Sequence, residues 1–106
     1  MRSKVTSNHF SDADGNPCGG TTYGQGFAIG WQNGQLGRGD DRIAPNGAFV
    51  QDIITAAIGR LEFYQAGKFC CDDNAEALAC LVEARMILNR RTVAREDREV
   101  EGTHVI

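Results

Sequence analysis

The chain has 106 residues, a formal net charge of −3, 42% hydrophobic residues and 24% charged residues. That length predicts a single domain over 1–106 with a modest core, for which association with further copies is a source of stability. The charge argues against a general nucleic-acid binder, no apolar run approaches the roughly 18 residues of a membrane span, and Met1-Arg2-Ser3-Lys4 leads into polar residues where a secretory signal would need an apolar stretch.

In chain order, residues 1–37 read as β-structure with turns. Ser11 to Pro17 is dense in turn formers; its Asp-x-Asp-Gly resembles the start of a calcium loop, but no Glu follows at the required spacing, so a turn is the reading. Gly26 to Gln32 is the best strand, with Phe27, Ile29 and Trp31 alternating at the period of a half-buried strand, and Asn33-Gly34 reads as a hairpin turn after it. The glycines at 24, 26 and 30 precede and interrupt a strand, not the strand-to-helix junction a dinucleotide loop needs. Residues 36–47 form a Gly-rich loop holding Arg38 and Arg42. These either pair with Asp40 and Asp41 in solvent or leave Arg38 able to reach an anionic ligand. The Arg-Gly-Asp inside this loop is read as a chance match.

Two helices follow. The first is predicted over 46–66, with Asn46 as N-cap and Phe49, Ile53, Ala57 and Leu61 recurring every fourth residue beside Val50, Ile54, Ile58 and Tyr64. Gly59 interrupts this face. The second is predicted over 73–100. It has no Gly or Pro, Asp73 and Glu76 can make a capping box, and Leu78, Leu81, Val82 and Ile87 form a packing stripe. Its later half is guanidinium-rich, with Arg85, Arg90, Arg91, Arg95 and Arg98. The short turn at 67–72 predicts an antiparallel helical hairpin, and the tail at 101–106 predicts an extended segment able to pair with the sheet through Thr103 and Val105. The fold class is α+β: a small N-terminal antiparallel sheet, then a long helical hairpin. Cys18, Cys70, Cys71 and Cys80, with His9 and His104 near opposite ends, do not make a metal-site spacing and read as reduced, mostly buried thiols. No nucleophile–base set or paired carboxylates in an apolar surround appear, which predicts no enzyme, and no cofactor is implied.

Several ordered blocks carry a resemblance: Gly34 to Ile54, Phe63-Tyr64-Gln65, Lys68-Phe-Cys-Cys-Asp-Asp-Asn74, Arg91-Thr-Val-Ala-Arg-Glu96 and Val100-Glu-Gly-Thr-His104. Over about residues 20–106 the chain resembles the phage Thoeris anti-defence proteins of the first described type, which share a helical hairpin with anti-CBASS sponges. The resemblance implies a non-catalytic sponge in the host bacterial cytoplasm. It would bind and sequester cyclic ADP-ribose isomers (glycocyclic ADP-ribose) made by Thoeris TIR proteins. It also implies cyclic oligonucleotides as further ligands, and a homodimer or a hexamer built as a trimer of dimers. By the same resemblance the binding residues are Arg38, Tyr64 or its neighbour Phe63, Asn74, Arg91 and Arg95. Cys71-Asp72-Asp73 stands where the family more commonly has a basic stretch.

The chemistry of those side chains suits such a ligand. Arg grips phosphate through paired charge-assisted hydrogen bonds, and Arg91 and Arg95, four apart, share one helix face. An aromatic ring stacks on adenine, and an Asn amide reads a base edge or a ribose. The competing reading of the Arg pair is a solvated face paired with Glu96, Glu99 and Glu101. The competing reading of the whole chain is a small oligomeric adaptor that binds a host protein through its helical face; a nucleotide hydrolase is a third.

Overall fold

The computed structural model describes residues 4–106, so the first three residues of the expected β-rich segment lie outside the described residues. The elements are β1 (Thr6–Ser11), β2 (Pro17–Gly24), β3 (Phe27–Gly30), a 3-10 turn (Gly39–Asp41), α1 (Val50–Gln65) and α2 (Asp72–Asp97). The strands form one antiparallel sheet in the order β1-β2-β3, and the fold is α+β as the sequence predicts. By compactness the chain divides into Met1–Phe49 with Glu99–Ile106, and Val50–Arg98.

In the first unit the Ser11–Pro17 turn forms as expected. The Asp12 carboxylate accepts the backbone N–H of Asp14 at 2.9 Å and of Asn16 at 3.0 Å. The Asn16 N–H is the leading cause that holds the Asp12 carboxyl below its ordinary value. The β2–β3 hairpin, however, turns at Gln25-Gly26, and Gly26 has φ 87°. Gly26 belongs to the turn and not to the strand, because only glycine takes this left-handed conformation without strain. Asn33-Gly34 is not a hairpin turn. Asn33 bridges back to Cys18, and Trp31 to Ala48. The Trp31 indole N–H donates to the Thr22 hydroxyl at 2.8 Å, satisfying a buried polar group at the centre of the sheet.

Asn46 does not cap α1. Its side-chain oxygen accepts the Asn33 N–H at 2.8 Å and its amide donates to the Asn33 carbonyl at 2.9 Å, so it imitates a strand partner. Gly47 follows because any Cβ there would run into the Trp31 backbone. The helix therefore starts at Val50, not at 46. The tail does not join the sheet either. The Gly37 N–H donates to the Gly102 carbonyl at 2.6 Å and the His104 N–H to the Gln35 side chain at 3.2 Å, so the tail lies on the 35–42 loop.

In the second unit α1 and α2 pack as the expected antiparallel hairpin. Ile58 is buried, with Ile54 and Leu61 half-buried, against a stripe on α2 at Leu78, Leu81, Val82, Leu88 and Thr92. Leu78, Leu81, Arg85, Leu88 and Thr92 recur three and four apart, the spacing of one helix face. Ile87 is 46% exposed and lies off the stripe, one position before Leu88. Polar ties link the helices along their length: Arg85 donates to the Thr55 hydroxyl at 3.3 Å and Gln51 to the Thr92 hydroxyl at 3.5 Å. Among the described residues the buried hydrophobics are Leu36 and Ile58, and Met86 and Val93 on α2 stay exposed. The cysteines are all free thiols, but Cys70, Cys71 and Cys80 are exposed, contrary to the buried reading, since they sit in the turn and on the outer face of α2. No helix is long and apolar enough to cross a membrane among the described residues.

Candidate functional site

The turn end of the hairpin is built by side chains. The Gln65 amide accepts the Cys71 N–H at 3.0 Å and donates to the Cys71 carbonyl at 3.1 Å, closing the turn from both sides. Cys71, not Asp73, is the N-cap of α2, and its sulfur accepts the Asn74 N–H at 3.4 Å. A thiol caps more weakly than the carboxylate expected at 73, but the Gln65 clamp has already fixed the Cys71 backbone in the extended conformation a cap requires. Asp72 and Asp73 then occupy the first helical turn, where negative charge complements the helix dipole. Gln65→Ala removes the partner of the Cys71 N–H and leaves the Cys71 carbonyl only the Ala75 N–H; it is expected to destabilise the chain by about 0.5–1.5 kcal/mol, read as a lower midpoint in urea with an unchanged slope.

Asn74 lies on that first turn. Its amide donates to the Phe69 carbonyl at 3.3 Å, which orients the side chain beside the turn. On the other side of the turn, the end of α1 carries an exposed aromatic group. The Phe63 and Tyr64 rings lie 6.1 Å apart at 59°, exposed by 65% and 37%, and Phe69 is 71% exposed. Exposed at this density, the rings offer flat apolar faces to a partner.

Sequence reasoning missed the cations here. The Arg60 guanidinium lies 5.0 Å from the centroids of both rings and donates to the Tyr64 hydroxyl at 3.2 Å. The Lys68 ammonium lies 5.4 Å from the Phe69 ring. The signal was available: Arg60 precedes Tyr64 by four positions, one helical turn. The group thus combines aromatic faces with positive charge, the pair of properties that binds a nucleobase and its phosphate.

Arg91 and Arg95 are one turn apart near the other end of α2, with Arg91 exposed and Arg95 half-buried. α2 is continuous from 72 to 97. Positions 74 and 91 are 17 residues apart on it, hence about 25 Å along the axis. The structure therefore brings Phe63, Tyr64 and Asn74 to one end of the hairpin and places Arg91 and Arg95 towards the other. Between them α2 presents an open apolar groove lined chiefly by Ala75, Leu78, Ala79, Val82 and Met86. Arg38 belongs to the first unit, at the N-terminal edge of the 3-10 turn, where it donates to the Glu101 carbonyl at 3.2 Å. Among the described residues no group of three or more His, Cys, Asp or Glu is placed to hold a metal ion.

This hairpin with its cationic and aromatic ends has a known counterpart. Residues 25–93 match the family model described as the Acb2/Tad1 hairpin domain. The chain belongs to that family. The matched span of the Acb2/Tad1 hairpin runs from the β2–β3 turn through most of α2, so it includes Arg38, Phe63, Tyr64, Asn74 and Arg91, with Arg95 just beyond it. The chain is also similar to Thoeris anti-defense 1 of Bacillus phage SBSphiJ7, with 47% identity over 72 residues, 68% of this chain and 50% of that protein. It spans about half the length of this curated relative.

Proposed function

We propose that this member of the Acb2/Tad1 hairpin family is a phage anti-defence sponge that binds a cyclic ADP-ribose isomer and withholds it from a Thoeris effector without degrading it. The observation that carries this reading is the 47% identity to a Thoeris anti-defence protein. The chemistry of the hairpin supports it. Phe63 and Tyr64 offer faces for adenine, Asn74 offers an amide for a base edge or ribose, and Arg91 and Arg95 offer two guanidiniums for the pyrophosphate. Cyclic oligonucleotides share these groups and are candidate second ligands. The site of action in this reading is the host cytoplasm, where TIR enzymes make the signal.

The separation of Asn74 from Arg91 exceeds the reach of one cyclic nucleotide. A shared pocket then requires two chains. In a two-fold dimer with antiparallel α2 helices, the Asn74 end of one chain meets the Arg91 end of the other, giving two equivalent pockets. The apolar groove and the exposed Met86 supply surface for such a contact, or for a hexamer of three dimers.

The test is incubation of the purified chain with the product of a Thoeris TIR enzyme, removal of unbound nucleotide by filtration, then heating and chromatography. A sponge returns the nucleotide intact, and the ligand raises its melting temperature beforehand. Recovery of an altered nucleotide would make the chain a hydrolase. Recovery of none, with no thermal shift, would favour an adaptor that binds a host protein through its helical face.

A further inference from the structure

We propose that Arg60 is a positioning residue for base stacking: its guanidinium backs the Phe63 and Tyr64 rings and holds their uncovered faces ready for a nucleobase. This rests on the nucleotide-binding reading of that end of the hairpin and adds a residue to it, while the pyrophosphate stays with Arg91 and Arg95.

The three side chains share one strip of α1. Arg60, Phe63 and Tyr64 stand three and four positions apart, the spacing of neighbours on a helix surface. The neighbours of Arg60 on the preceding turn are Ala56 and Ala57, which offer it no charge. Glu62 is the carboxylate closest in sequence, but two positions turn it roughly 200° around the helix. Asp72, Asp73 and Glu76 stand across the turn on α2, and among the described residues Arg60 makes no ion pair with them or with any other carboxylate. Its guanidinium goes to the rings instead. It lies 5.0 Å from each centroid, with the centroids 6.1 Å apart, and its Nε–H donates to the Tyr64 hydroxyl at 3.2 Å. One planar group thus holds Tyr64 by ring and oxygen, and Phe63 by its ring.

A face covered by the guanidinium is closed to a base, and the opposite face is where a base stacks. Phe63 is 65% exposed and Tyr64 37%, so neither ring is packed away. A Cβ at Gly59, one turn before Phe63, would meet nothing within 4 Å, so the helix surface there is bare. Contacts between groups this exposed contribute little to stability. Their effect is on freedom. An exposed ring samples several rotamers, and a ligand that stacks on it must freeze one of them. Arg60 freezes it beforehand. Arginine suits this task because its flat, weakly hydrated guanidinium stacks on a ring while still donating a hydrogen bond; a lysine ammonium is a strongly hydrated point charge.

Two readouts on the full-length chain test this. The first needs no ligand. The chain has two tyrosines, so the Tyr64 ring signals in NMR are assigned by their loss in Tyr64→Phe. Arg60→Ala and Arg60→Lys are each expected to move those signals towards the positions of a free tyrosine. Unmoved signals overturn the proposal. The second is equilibrium dialysis with the purified product of a Thoeris TIR enzyme. Arg60→Ala is expected to weaken capture about three- to tenfold, the cost of ordering the rings on binding. Arg60→Lys, which keeps the charge, is expected to weaken it as much. Full capture by Arg60→Ala overturns the proposal. Full recovery in Arg60→Lys does so too, because it makes Arg60 a plain charge contact. Circular dichroism checks the helix in each variant; if Arg60→Ala does not fold, Arg60→Lys carries both readouts. If the unsubstituted chain captures no TIR product, the sponge reading fails, and adenosine monophosphate decides the fate of Arg60. A shift of the Tyr64 signals by that nucleotide, weakened in Arg60→Ala, keeps the role; no shift, or an equal shift, overturns it.

Discussion

Arg91→Ala and Arg95→Ala are each expected to weaken capture of a cyclic ADP-ribose isomer by roughly 10- to 150-fold, the equivalent of about 1.5–3 kcal/mol for a lost charge-assisted pair. The two positions are one turn apart on α2, so both guanidiniums can address one pyrophosphate. The effect of the Arg91 substitution on stability should be small, because that side chain is exposed and lies off the apolar stripe at Leu78, Leu81, Val82 and Leu88; Arg95 is half-buried, so its variant is compared at equal folded fraction. Equilibrium dialysis gives the affinity, and circular dichroism checks that the helix survives. Full-strength binding by both variants would remove the phosphate clamp from this end of the hairpin.

A chain with Asn74→Ala and a chain with Arg91→Ala, each defective alone, are expected to regain one working pocket of two when assembled as a heterodimer. The reason is the length of α2. A continuous helix of 26 residues is about 39 Å long, and no bend brings its two ends to one nucleotide. Asn74 also ties the turn through the Phe69 carbonyl, so its substitution must first pass a melting control. Differently tagged chains verify the heterodimer, and the amount of bound nucleotide per dimer is the readout. Failure to recover binding in a verified heterodimer would place the whole pocket in one chain and discard the shared site.

Much of this arrangement was legible before any coordinates. The period of two in Phe27, Ile29 and Trp31 announced the sheet, though its hairpin turn falls at Gln25-Gly26 and not at Asn33-Gly34. The Gly- and Pro-free run after Asp72 announced α2, and the short turn announced the antiparallel hairpin. Such features are carried by neighbours in the chain, so local propensity and patterning suffice to read them. The resemblance to anti-defence proteins was legible for the same reason, since it lies in contiguous blocks. Arg60 was legible too, since it precedes Tyr64 by one helical turn.

The amino-acid sequence by itself determined the α+β class, the helical hairpin and the spacing that separates Asn74 from Arg91. Tertiary structure alone decided what the polar side chains do. Asn46 and Asp73 had the composition of helix caps, but Asn46 is drawn to the Asn33 backbone, while the Gln65 clamp hands the second cap to Cys71. Arg42 had acidic neighbours at 40 and 41, yet the carboxylate on which it and Arg38 converge comes from Glu101, 59 positions away. A polar group is satisfied by whichever partner the folded backbone places within about 3 Å. That distance is set by the closure of the tail on the loop through Gly37 and Gly102, which no local pattern encodes.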